Sequence, residues 1–336
     1  MTRKDERPDD CREQKRAVRM ELAGFLRNSS YFPRREVKER ETSNFNGLLG
    51  CTLKGLVRES LARQTKISRE SLTNEFQHIV AYITGGANGI GKAIAQKIHC
   101  QGAKVVLADI SCNGAKVAEG LGEKALFTCT DVRLEKDVVE SMKCVKEKFG
   151  GVNVLINSAG VVGYEPIYDF KKKKPHSVDL YKCLYDTNVW GLFNVTRLMV
   201  GLMAENKPDA NRQRGVIINL SSMIACESPP GLIAYGSTKS AVSGMTIPLA
   251  RGLACKGIRV IGICPGFIDS PMTAPQKPEE RKKWINMKLT PKRYGTCEEV
   301  AHLVQACIEN PLINGENIRI DMGFRYNQEG DAAEQP

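Results

Sequence analysis

Residues 79–91 read Ile-Val-Ala-Tyr-Ile-Thr-Gly-Gly-Ala-Asn-Gly-Ile-Gly, a short apolar run that breaks at Thr84 into a turn holding Gly85, Gly86, Gly89 and Gly91. An apolar run of this length, bounded by glycines, predicts a strand buried on both faces. The glycines let the backbone turn sharply and come close to a ligand, and a helix is expected from Lys92. The amino end of a helix offers free N–H groups and the positive end of its dipole, a natural seat for a pyrophosphate. A glycine-rich turn is weak evidence alone, since any strand-to-helix turn can hold two glycines. Here it is answered 24 residues after Gly85 by Asp109, which closes the next apolar run. A carboxylate there accepts hydrogen bonds from adenosine ribose hydroxyls and repels a 2′-phosphate. Neither Ala87, Asn88 nor Ile110 offers a basic side chain to such a phosphate, so the expected cofactor is NAD.

Outward from this unit the same rhythm repeats. Short runs at 105–107, 125–127, 154–156, 216–218, 260–263 and 318–320 alternate with helical stretches. Leu192, Val195, Met199 and Leu202 recur at helical spacing, as do Ala241, Met245 and Leu249. Seven strands with intervening helices predict one doubly wound α/β Rossmann domain with a parallel sheet, over residues 78–327. Residues 1–77 are rich in Arg, Glu, Lys and Ser and lack sustained periodicity, so a charged extension, disordered or loosely helical, is expected there. Residues 328–336 read as a polar tail.

The chain has 336 residues, a net charge of +11 and 12 cysteines. No apolar run approaches the ~18 residues of a membrane span, and the first residues lack the apolar stretch of a secretory signal. A soluble intracellular protein is the expectation. The cysteines show no metal-ligand spacing, so neither metal nor disulfide is assigned. Cys100, Cys129, Cys144 and Cys307 sit among apolar neighbours and are expected to pack as small apolar side chains. The positive charge is spread thinly and reads as a solvated basic surface rather than a nucleic-acid face.

The second constellation is Ser222, Tyr235 and Lys239. Tyr235 and Lys239 stand four residues apart and share a helix face. An ammonium beside a phenol favours the phenolate, which suits the tyrosine to take or give a proton. Ser222, just past a strand, can bond the same substrate oxygen. A lone Tyr-x-x-x-Lys is more often an ordinary helix pair. Its order after the glycine turn, Asp109 and Ser222 argues otherwise.

In this order the motifs resemble the short-chain dehydrogenase/reductase family. The turn from Thr84 to Gly91 matches the family's T-G-x-x-x-G-x-G, in which Gly85, Asn88, Ile90 and Gly91 would contact the cofactor. Asp131-Val132 resembles its adenine-binding pair. Asn157-Ser158-Ala159-Gly160 is similar to its N-N-A-G stretch, with Ser158 for the second Asn. Asn188 falls where the family completes a tetrad with Ser222, Tyr235 and Lys239 through a bound water. Pro265-Gly266, with Ser270 for the commoner Thr, resembles the loop that cradles the nicotinamide carboxamide, and Ile268 would face that ring.

The resemblance implies reversible NAD-linked oxidation of a secondary alcohol, with Ser222 and Tyr235 on the substrate. Stretches outside these motifs, Gln213-Arg-Gly-Val-Ile-Ile-Asn219 and Ala301-His-Leu-Val-Gln305 among them, resemble a branch acting on short-chain 3-hydroxyacyl-CoA. That branch implies a homotetramer, a mitochondrial location, a hydroxysteroid as alternative substrate and, from a different class of function, a structural part in a tRNA-processing assembly.

Smaller features are assigned ordinary roles. The basic run 171–174 reads as a solvated loop, with guidance of CoA phosphates as the alternative. Trp284 is expected to pack a substrate lid, Pro248 to kink its helix, and the four histidines to be structural.

Overall fold

A computed structural model describes residues 76–326, all within the compact unit Thr65–Pro336. The reading of residues 1–75 and 327–336 lies outside the described residues.

The opening run forms β1 (Val80–Thr84), with every residue buried. The chain then alternates through α1 (Gly89–His99), β2 (Lys104–Asp109), α2 (Asn113–Leu121), β3 (Ala125–Cys129), α3 (Glu135–Phe149) and β4 (Val154–Asn157). An insertion follows as a two-stranded antiparallel hairpin, β5 (Tyr168–Asp169) and β6 (Lys174–Pro175). Its exposed turn carries Lys171, Lys172 and Lys173, so the basic run is a solvated hairpin tip. Next come α4 (Val178–Tyr185), a π-helical turn (Asp186–Gly191), α5 (Leu192–Ala204) and β7 (Gly215–Leu220). The chain closes with α6 (Ile233–Leu253), β8 (Ile258–Pro265), α7 (Pro278–Asn286), α8 (Cys297–Glu309) and β9 (Asn317–Ile320). Pro248 lies within α6, which continues to Leu253.

Seven strands pair in parallel in the order β3-β2-β1-β4-β7-β8-β9. The chain leaves β1 toward β2 and β3, then crosses back to place β4 on the other side of β1. That reversal opens a crevice beyond the carboxyl ends of β1 and β4, where this class of sheet binds ligands. Strand residues alternate between two cores. Ile83, Leu107, Ile156 and Ile218 pack with Ile94 and Ile98 of α1 and with Val300 and Val304 of α8. Tyr82, Val106, Leu155 and Ile217 pack with Val138 and Val145 of α3 and with Val195, Met199 and Met203 of α5. Burial on both faces explains why these strands read as unbroken apolar runs.

Three details depart from the sequence reading. The first helix opens at Gly89, three residues before Lys92, because a glycine-rich stretch argues against helix on propensity while the close turn requires glycine. Cys100, Cys129 and Cys144 are exposed, and only Cys264 and Cys307 are buried among the ten described, all free. Apolar neighbours in sequence do not fix which side of an element a residue faces: Cys144 sits on α3, whose buried positions are Val138, Ser141 and Val145. Phe76, ahead of the expected start at His78, is 2% exposed in the core with Ile79 and Ile98.

Candidate active site

A cleft of about 500 Å³ runs along the carboxyl ends of the strands, from Asp109 and Arg133 at one end to Ser222 and Tyr235 at the other. Gly85, Asn88, Ile90, Gly91, Asp109, Asp131, Val132, Ser158, Gly160, Ser222, Tyr235, Lys239, Pro265, Ile268 and Ser270 all line it. Asn157 and Asn188 do not. Asn157 is buried in β4, where its amide donates to Thr196 Oγ1 (3.0 Å) and Asn219 Oδ1 (2.9 Å), tying the sheet to α5. Asn188 is 2% exposed in the π-helical turn. Its Oδ1 accepts from Val161 N (2.8 Å) and its Nδ2 donates to Val161 O (2.9 Å) and Thr238 Oγ1 (3.0 Å). This side chain clamps the loop after β4 to the helix that carries Lys239.

Lys239 and Tyr235 lie one turn apart on α6, with Nζ 5.7 Å from the centre of the phenol ring. Lys239 Nζ donates to Leu220 O at 2.9 Å, and Ser221 Oγ donates to Lys239 O at 2.8 Å. The end of β7 therefore fixes the register of the helix. Ser222 follows in extended backbone, and its Oγ accepts from Ile224 N at 3.2 Å, capping a short 3₁₀ turn. Burial pushes the Tyr235 phenol up to about 12, with the Ser222 hydroxyl working against it. Burial also brings the Lys239 ammonium down to about 8. Desolvation sets the direction at the phenol, and the lowering expected from the neighbouring ammonium is not seen there.

At the turn, Gly85 has φ +65°, and a Cβ there would meet Ala159 Cα at 2.9 Å. A Cβ on Gly91 would overlap the carbonyl oxygen of Gly85. Thr84 Oγ1 accepts from Ser158 N (3.0 Å) and Ala159 N (3.1 Å), holding the loop after β4 against the turn. Asn88 precedes α1, yet its side chain makes no capping bond. Asp109 takes one backbone bond on each oxygen, from Ser111 N and Ala87 N, both at 2.9 Å. A dinucleotide matches this cradle: open helix amides for a pyrophosphate, and a carboxylate with an acceptor position left on each oxygen for a ribose.

Beside Tyr235 lies a third cluster, Leu184, Met223, Ile224, Phe267, Tyr294 and Phe324, with Trp284 packed on it. Trp284 stacks on Phe267 with ring centres 5.0 Å apart, so it packs α7 down as expected. Lys288, 1% exposed beneath the same segment, donates to Arg293 O at 2.8 Å and stands 4.3 Å from the Tyr294 ring. Nothing in the sequence pattern marks it, nor Arg133 on the cleft wall, since neither follows from a spacing rule. No histidine lines the cleft. Among the described residues no cluster of metal-ligating side chains occurs, and no helix is long and apolar enough to cross a membrane.

A family profile described as short chain dehydrogenase matches residues 79–281. The 3-hydroxyacyl-CoA dehydrogenase type-2 of Drosophila melanogaster is 42% identical over 251 residues, covering 74% of this chain and 98% of the relative. A crystal structure of 3-hydroxyacyl-CoA dehydrogenase type-2 from Mycobacterium avium is similar with a TM-score of 0.72 and 30% identity, covering 76% of this chain and 98% of that one. The 3-ketoacyl-(acyl-carrier-protein) reductase of Brucella melitensis, solved with NADH, is similar with a TM-score of 0.65 and 29% identity over 73% of this chain and 97% of its own.

Proposed function

The chain belongs to the short chain dehydrogenase family, and on that premise we propose that it oxidises short-chain 3-hydroxyacyl-CoA to 3-oxoacyl-CoA with NAD. It is an oxidoreductase acting on CH–OH groups. The observation that carries the finer reading is the grouping of Ser222, Tyr235 and Lys239 at one end of a cleft whose other end is Asp109. The names of the relatives support the substrate class, and the NADH bound by the Brucella neighbour supports a nicotinamide cofactor.

Gly85, Ile90 and Gly91 would hold the pyrophosphate, Asp109 the adenosine ribose, and Ser158, Gly160, Pro265, Ile268 and Ser270 the nicotinamide half. When bound, the nicotinamide supplies the hydride acceptor. The chain's own residues manage the proton. Ser222 donates a hydrogen bond to the substrate oxygen, and Tyr235 takes the hydroxyl proton as the C–H pair of electrons leaves carbon and the ketone forms. Lys239, charged below about pH 8, stabilises the phenolate and binds the nicotinamide ribose. Asn188 acts on that helix from behind. The apolar cluster of Met223 and Phe267 packs with Tyr235 and backs that end of the cleft. Exposed Trp190, Phe193, Ile233 and Ile247 support assembly into a homotetramer.

Tyr235→Phe tests this directly. It should bind NADH as the wild type does and lose on the order of a hundredfold or more in turnover, since general acid–base catalysis contributes at least that much. Turnover within a few-fold of wild type would refute the assignment.

A further inference from the structure

The segment that follows β9 is strapped to the turn that Ser222 heads. Ser222 Oγ caps the 3₁₀ turn Met223–Ala225, and Glu227 continues that turn by donating its N–H to Met223 O at 3.1 Å. Ser228, the next residue, lies against the catalytic helix: a Cβ on Gly236 would come within 2.6 Å of its Oγ. Glu227 therefore stands on the short connection between the two residues given to the substrate oxygen, Ser222 and Tyr235.

Both carboxylate oxygens of Glu227 are engaged by the strap. Oε1 accepts from Arg319 Nη1 at 2.9 Å and lies 3.6 Å from Arg325 Nε, while Oε2 accepts from Tyr326 N at 2.9 Å. Partial burial opposes the charge, yet the hydrogen bonds from Arg319 and Tyr326 N hold the Glu227 carboxyl below its ordinary range. Arg319 uses its whole fork. Its Nε donates to Asp321 Oδ2 at 2.8 Å, and its Nη2 donates to the same oxygen and to Phe324 O at 3.1 Å. Asp321 Oδ1 in turn accepts from Gly323 N at 3.1 Å.

The strap held this way inserts Phe324, fully buried, edge-on to Phe267 with ring centres 5.7 Å apart. That places it in the cluster that also holds Met223, Ile224 and Tyr235. An isolated surface ion pair contributes little. This one is forked, 21% and 27% exposed at its two side chains, and reinforced by a backbone bond that joins residues 99 apart in sequence.

We propose that Glu227 is a positioning residue for the reaction: by tying the strap to this turn, it holds the Ser222 hydroxyl where it meets the substrate oxygen beside Tyr235. It does not line the cleft itself. The inference rests on the roles given to Ser222 and Tyr235 above and adds a residue that acts through them. Displacing a reacting group by a change outside the chemistry can lower a rate by on the order of a hundredfold. The cofactor end of the cleft is built on Gly85, Gly91 and Asp109, none of which the strap touches.

The test uses the full-length protein, with NADH and acetoacetyl-CoA for turnover and fluorescence titration for NADH affinity. Glu227→Ala should lower kcat by about tenfold or more. It should leave the dissociation constant of NADH within about twofold of wild type, a split that general damage to the fold would not give. Glu227→Gln, which keeps one acceptor, should fall between the two. A Glu227→Ala kcat within about threefold of wild type overturns the inference, as does a loss of turnover matched by an equal loss of NADH affinity. Should Glu227→Ala fail to fold, Arg319→Lys keeps the charge without the fork and is judged by the same two criteria. Wild type that binds NADH and reduces no ketone brings down the roles of Ser222 and Tyr235, and this inference with them, an outcome distinct from an unaffected variant.

Discussion

Asp109 reaches the cleft with each carboxylate oxygen already oriented by a backbone amide, Ala87 N on one and Ser111 N on the other. Its remaining acceptor positions suit two hydroxyls and repel a phosphate. Charged hydrogen bonds contribute roughly 1.5–3 kcal/mol each, so Asp109→Ala should weaken NAD and relax its preference over NADP. Adding Ile110→Arg should begin to favour NADP, read as kcat/KM with each cofactor. Equal use of both cofactors by the wild type would contradict this role. At the other end, burial keeps the proton on Tyr235, whose pKa stands near 12. Alcohol oxidation needs the base form, so its rate should rise with pH and level off near pH 8, where Lys239 gives up its charge. Ketone reduction needs the phenol and should not rise over that range. An oxidation rate that falls from about pH 6 to pH 8 would contradict the assignment. The grouping of Tyr235, Lys239 and Ser222 in one cleft was legible in the sequence because a four-residue spacing puts the first two on one helix face and Ser222 follows a strand end. Asn157 and Asn188 were legible as motif positions, but their inward orientation depends on the strand face and on the π-helical turn, neither of which leaves a mark in composition.

The strand–turn–helix unit from β1 to α1 shows what an element adds beyond its residues. Its glycines are there because Gly91 packs against the carbonyl of Gly85 with no room for a methyl group. Gly91→Ala should therefore open the turn, costing about 1–3 kcal/mol of stability as overpacking does and abolishing NADH binding. Urea unfolding and NADH titration check both. A stable variant that binds NADH normally would mean the turn is looser than its geometry. The alternation of apolar runs and amphipathic stretches announced all seven strands, most plainly β1, β4 and β8, where burial of every residue leaves few polar positions to confuse the pattern. It did not announce that the insertion folds as a hairpin, because a two-residue strand pair carries no periodicity. Side-chain faces were the weakest reading. Cys100, Cys129 and Cys144 turned outward although their neighbours in sequence are apolar.

Across the whole molecule, the strand order follows from connectivity: right-handed crossovers from β1 admit few arrangements once seven parallel strands are recognised. The reversal beside β1 then brings Asp109, more than a hundred residues from Tyr235, to the same cleft. The start of the domain is where the sequence reading was coarse. Phe76 is buried in the core, so a chain beginning at Asn74 should fold and turn over substrate, while one beginning at His78 should lose part of about 3–5 kcal/mol, the cost of deleting a buried phenyl ring. Thermal unfolding of the two chains separates them, and equal melting temperatures would show that Phe76 adds nothing. The most direct test of the whole account is turnover by the full wild-type chain, given NAD or NADP with a short-chain 3-hydroxyacyl-CoA, a long-chain one and a 17β-hydroxysteroid. Reduced cofactor should appear fastest from NAD with the short-chain thioester. A chain that binds NADH yet forms no reduced cofactor from any hydroxyacyl-CoA would contradict it.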